Sequence, residues 1–133
     1  METKTFRRVG KERSAAAVSG ALEQICPRFH KTIELVGKRW TGAIVQRLMD
    51  GPRRFTALLG AVPGLHDRLL SERLKELEAE GLVERRVYAE TPVHIEYALT
   101  DKGRALEKVF AEIERWAHRW IVAPPDGSRH GGR

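Results

Sequence analysis

Residues 54–99, RFTALLGAVPGLHDRLLSERLKELEAEGLVERRVYAETPVHIEYAL, limit the folds open to this chain more than any other stretch. Phe55, Leu58, Leu59 and Val62 recur at i, i+3, i+4 and i+7, the spacing of one helical face. Pro63-Gly64 stops that helix and turns the chain. Leu70, Leu74 and Leu77 repeat the spacing in a second helix, which Gly81 ends as the residue just past the cap. Two amphipathic helices across a tight turn make a helix-turn-helix, whose second member fits a major groove.

After Gly81 the period changes to two. Val83, Arg85 and Val87 alternate with Glu84, Arg86 and Tyr88, and Ile95, Tyr97 and Leu99 alternate with His94, Glu96 and Ala98. The intervening Ala89-Glu90-Thr91-Pro92-Val93 is a hairpin loop, so a wing is predicted directly behind the helix-turn-helix. The tip of such a wing can follow phosphates while the helix reads the adjacent groove. At about 100° per residue, the helix face opposite the leucines carries Arg68, Glu72 and Lys75, with Leu69 and Ser71 at its margins. The candidate DNA contacts are Arg68, Ser71, Glu72, Arg73 and Lys75, with His66 at the helix start. Arg53 and Arg54 ahead of the first helix, and Arg86 and His94 on the hairpin, complete the set. A solvated helix face is charged too; the hairpin behind it favours the binding reading.

The predicted fold is therefore mainly α with a small β-hairpin wing (α+β), a winged helix-turn-helix, dimeric through its N- and C-terminal helices. At 133 residues the chain suits one domain with a modest core. Its net charge of +6 is spread over centre and tails, which fits a polyanionic partner without identifying one. No apolar run approaches a membrane span of about 20 residues, and no secretory segment opens the chain. A single cysteine excludes an intrachain disulfide, and a cytoplasmic location is expected.

Residues 1–13 read as a flexible basic arm, 14–123 as the DNA-binding and dimerisation domain, and 124–133 as a disordered tail. Ala15, Val18, Leu22 and Ile25 suggest a helix over 14–25. Cys26-Pro27 opens the next helix, to Val36, because proline favours the first helical position and leaves Cys26 as the N-cap. There the sulfur meets unpaired N–H groups and the positive end of the helix dipole, with Arg28 and Lys31 close by. These features favour a reactive thiolate; the other reading is an inert cysteine filling a small apolar gap. Trp40, Ile44, Val45 and Leu48 mark a further helix up to Met49, with Trp40 as a core anchor. After the wing, Thr100 is an N-cap, and Leu106, Val109, Phe110, Ile113, Trp116, Trp120 and Ile121 form an apolar stripe. A stripe of that size suits a second copy of the chain, in a symmetric dimer with two recognition helices; packing on the N-terminal helices is the alternative.

The motifs in register are Cys26-Pro27, Leu35-Val36-Gly37-Lys38-Arg39-Trp40 and Gly51-Pro52-Arg53-Arg54-Phe55. They continue with Leu70 through Glu78, Gly81-Leu82-Val83-Glu84-Arg85, and Pro92 through Gly103. Over about 26–121 the chain resembles the HxlR family of bacterial transcription regulators, relatives of the MarR winged-helix proteins. The resemblance implies a dimeric regulator of double-stranded DNA, and is nearest the redox- and quinone-sensing branch. In that branch a cysteine before the proline is the sensing thiol, a role that would fall to Cys26 with a small electrophile or oxidant as its partner. His66 departs from the family's usual serine at the start of the recognition helix and is a poor N-cap, so the cap moves to Asp67 or the helix starts less firmly. His94 replaces a usually basic wing residue, so a phosphate contact there would weaken as pH rises. The extra cysteines of some sensing relatives are absent, which leaves Cys26 to join its dimer mate or a small thiol, to oxidise further, or to be alkylated.

The leading expectation is thus a sequence-specific DNA-binding regulator, acting as a repressor, with affinity modulated at Cys26. The alternatives are a winged-helix protein–protein module or a regulator without thiol sensing. An enzyme is not expected, nor a cofactor or metal. His30, His66, His94, His118 and His130 lack metal-ligand spacing, and no phosphate-binding glycine loop or nucleophile elbow occurs. Cys26 with His30 lacks a third, orienting residue.

Overall fold

The computed structural model describes residues 25–123; the predicted arm 1–13, nearly all of the 14–25 helix and the tail 124–133 lie outside the described residues. The described chain divides after Val36. The first unit contributes α1 (Pro27–Val36), none of whose residues is buried. The Cys26 carbonyl accepts the His30 N–H at 3.0 Å, so Cys26 stands at the helix start and Pro27 takes the first helical position, where its missing N–H leaves no bond unmade.

The second unit begins at Gly37 and runs α2 (Thr41–Met49), α3 (Phe55–Ala61), α4 (Asp67–Ala79), β1 (Val83–Tyr88), β2 (His94–Leu99), α5 (Asp101–Arg104) and α6 (Leu106–Trp120). It is mainly helical, with one two-stranded antiparallel hairpin. The core is built from the apolar faces of the helices: Ile44, Val45 and Leu48 of α2, Leu58 of α3, and Leu70, Leu74 and Leu77 of α4 are sealed from solvent. Leu82, Val83, Ala98 and Leu99 close it from the base of the hairpin, and Phe110 of α6 from the other side. Among the described residues no helix is long and apolar enough to cross a membrane.

Both ends of α4 are well explained. The His66 carbonyl accepts the Leu70 N–H at 3.0 Å, but the His66 side chain makes no capping bond. Backbone alone therefore starts the helix, with Asp67 in its first turn. At the far end Gly81 takes φ 77°, and the N–H groups of Gly81 and Leu82 bond the carbonyls of Glu78 and Leu77. This doubly bonded C-terminal cap needs a residue free to adopt the left-handed region. The Thr100 hydroxyl donates to Gly81 O and accepts the Gly103 N–H, while Lys102 Nζ donates to Glu80 O at 2.6 Å. Gly103 has no room for a side chain, since a Cβ would lie 2.1 Å from Leu82 O.

Three features differ from the sequence expectation. Arg53 forms an isolated antiparallel bridge to Tyr97, adding a third short segment beside β2. The helix predicted from Thr100 onward breaks at Ala105 into α5 and α6. Trp40 is only half-buried; it sits at φ 76° with its ring against Gly64 instead of in the core.

Candidate nucleic-acid interface

With its leucines turned inward, α4 presents Arg68, Glu72 and Lys75 outward, and Ser71 half-buried beside them. The Arg68 side chain is 94% exposed, and its Nε lies 3.7 Å from Glu72 Oε2, one helical turn on. An exposed pair of this kind adds little to stability, so Arg68 is free to exchange Glu72 for a base edge or phosphate. Lys75 has no ion pair or side-chain hydrogen bond among the described residues. No side chain caps the N-terminus of α4, where His66 is exposed and Asp67 already places a negative charge in the first turn.

The hairpin packs directly on α4 through β1. Its register pairs Val83 with Leu99 at the base and Tyr88 with His94 at the tip, leaving 89–93 as the loop. The Arg86 Nε donates to Glu84 Oε2 at 2.7 Å. That bond, then a second to Tyr88, raises its pKa further above the ordinary arginine value, so Arg86 stays charged. Arg85 projects from the opposite face of the strand, exposed and without a side-chain partner among the described residues. Alternation in the sequence puts Arg85 on the same face as Val83 and Val87, and it was not among the predicted contacts. Only Val83 is buried there, and Val87 is exposed.

The other predicted contacts are held within the protein. Arg53 Nε donates to Arg47 O at 3.0 Å and its Nη2 reaches Asp50 Oδ2 at 3.4 Å, which ties off the end of α2. Arg54 Nη2 lies 2.6 Å from His94 Nδ1, and His94 Nε2 lies 2.8 Å from Glu96 Oε2. Guanidinium only donates, so Nδ1 is the acceptor in that contact, and His94 bridges Arg54 and Glu96. Tyr88 stands edge-on to the imidazole and Glu90 lies 3.8 Å from Nδ1. Both ring nitrogens are therefore engaged, and the wing histidine fastens the start of α3 to β2. Arg73 is 15% exposed and bonds Arg39 O and Glu76, away from the outward edge formed by Arg68 and Lys75.

These are the parts of a groove-reading helix with a basic ribbon beside it, and residues 35–124 match the family model described as HxlR-like helix-turn-helix. The chain belongs to the HxlR-like helix-turn-helix family. It is a DNA-binding transcriptional regulator with a MarR-like winged-helix fold. The HTH-type transcriptional regulator YvaP of Bacillus subtilis (strain 168) is 53% identical over 98 residues, covering 74% of this chain and 91% of YvaP. The HTH-type regulator YodB of the same organism is 47% identical over 96 residues, or 72% of this chain and 86% of YodB. The structure of reduced YodB superposes with a TM-score of 0.71 at 44% identity, covering 77% of this chain and all (100%) of that one. YodB has also been solved diamide-treated and quinone-bound, with TM-scores of 0.65 and 0.64. The redox regulator HypR in its oxidised form gives 0.67 at 34% identity, covering 74% of this chain and 100% of that one.

Within the first unit, Cys26 is a free, exposed thiol at the start of α1. His30 Nε2, four residues on, lies 3.4 Å from Glu34 Oε2, one helical turn further along. Both side chains are well exposed, so water screens the pair.

Proposed function

We propose that the chain is a cytoplasmic, homodimeric repressor whose affinity for double-stranded DNA falls when Cys26 is oxidised or alkylated. The observation that carries this reading is the exposed thiol at the head of α1, in a chain similar to a regulator solved in reduced, diamide-treated and quinone-bound forms. A quinone would be attacked by the Cys26 sulfur at a ring carbon, forming an S–C bond while the thiol proton passes to the ring system, which becomes a hydroquinone thioether. Diamide would take two electrons from two thiols and be reduced to the hydrazine. The single cysteine then joins either the partner's copy or a small thiol.

Two apolar surfaces support the dimer. On α6, Val109, Ile113, Trp116 and Trp120 recur one helical turn apart, each exposed, and Ile121 continues them. On α1, Phe29 and Ile33 are likewise exposed one turn apart, next to Cys26 in sequence. An apolar row of this kind is stable in water when a second copy covers it. A bulky adduct or a crosslink at Cys26 then alters how two reading heads meet half-sites about one helical turn apart.

The test is a gel-shift titration on the region upstream of its own gene, with and without diamide or a quinone, using wild type and Cys26→Ser. Wild type should lose affinity on treatment and Cys26→Ser should keep it. Equal sensitivity of both proteins overturns the thiol assignment, and undiminished affinity of treated wild type overturns modulation altogether.

A further inference from the structure

Arg73 is the one candidate contact on α4 whose guanidinium is turned into the protein. Its Nε donates to the Arg39 carbonyl at 2.9 Å, and its Nη1 lies 3.3 Å from both carboxylate oxygens of Glu76, one turn further along. Glu76 Oε2 in turn accepts from Lys38 Nζ at 3.1 Å. Two residues of α4 thus grip the 38–39 segment at a backbone carbonyl and at an ammonium group. The next residue is Trp40, which holds φ 76°, a conformation that a bulky side chain adopts only when its surroundings enforce it.

Two contacts of the ring enforce it. The Arg39 guanidinium carbon lies 5.2 Å from the ring centroid. Gly64 lies so close that a Cβ there would stand 3.2 Å from Trp40 Cη2. Gly64 belongs to the Pro63-Gly64 turn that leads into α4 and itself takes φ 90°. The contacts therefore close a ring: α4 grips the 38–39 segment, that segment sets Trp40, and Trp40 rests on the turn from which α4 starts. A lysine at 73 has one ammonium nitrogen and cannot reproduce the planar fork in which Nε reaches the carbonyl and Nη1 the carboxylate.

We propose that Arg73 is a positioning residue for DNA reading: with Glu76 it locks the 38–40 turn against Gly64, and so fixes the direction in which α4 presents Arg68 and Lys75. It acts on which sequence is read, not on how strongly phosphates are attracted.

The experiment compares wild type, Arg73→Lys, Glu76→Gln and the double variant by fluorescence anisotropy across a salt series. One probe is a labelled duplex of the region upstream of its own gene, and the other a shuffled duplex of equal composition. Positioning predicts that each single variant loses on the order of tenfold in affinity for the upstream duplex. The shuffled duplex should bind within about twofold of wild type, with an unchanged salt slope. The double variant should lose little beyond either single one, because both substitutions open the same ring. Equal losses on both duplexes, with a slope shallower by about 0.9, would make Arg73 a phosphate contact and overturn the proposal. A Glu76→Gln variant that binds like wild type, or losses that simply add, would make Arg73 a direct base reader and also overturn it. Glu76→Gln keeps the Arg73 guanidinium and removes only the charged partner that orients it, so the proposal stays testable if Arg73→Lys does not fold.

Discussion

Arg68 illustrates how burial separates cations that look alike in sequence. Arg68 and Arg73 lie on the same helix, yet one side chain is 94% exposed and the other 15%. Helical spacing alone placed Arg68 opposite Leu70, Leu74 and Leu77, and that was readable from the sequence. The partner of Arg73 was not readable, because Arg39 O is a backbone group 34 residues away in a turn set by the φ of Trp40. The same holds for Arg54 and His94, 40 residues apart, whose bond depends on the final position of β2 beside α3. Substituting Arg68 by alanine should cost about 1–3 kcal/mol of binding to a specific duplex and relax the preference at one base position. Affinity measured on a set of single-base variants of the upstream duplex checks this; a uniform loss over all of them would assign Arg68 to a phosphate instead.

The elements were more legible than their partners. Both helices of the helix-turn-helix, the Gly81 stop and the 89–93 hairpin loop follow from local periodicity and turn chemistry. The Arg53–Tyr97 bridge does not, since a single paired residue carries no period. Nor does the break at Ala105, where the backbone stays near helical angles (φ −64°, ψ −16°). Alternation also failed along the hairpin: β2 buries both Ala98 and Leu99 at its base, where the core reaches both faces, while Val87 further out is uncovered. Arg85, on the face shared with Val83 and Val87, was not among the predicted contacts. If the wing follows the phosphates, Arg85→Ala should lower the slope of log affinity against log salt by about 0.9 and weaken all duplexes alike. An unchanged slope would place Arg85 off the DNA.

In the molecule, the described residues join a packed reading head to an exposed apolar helix face. Phe110 alone of the predicted stripe is buried; Trp116 and Trp120 remain more than half exposed, at 58% and 62%. One copy supplies one recognition helix, one ribbon and an exposed helix face, and the proposed symmetric pair would supply two reading heads with those faces closed. Sedimentation velocity of a labelled duplex from the upstream region, titrated with the protein at low ionic strength, tests this most directly. The account predicts a complex of two chains per duplex at concentrations that leave a shuffled duplex free. A single chain per duplex, or equal binding to both duplexes, would contradict it.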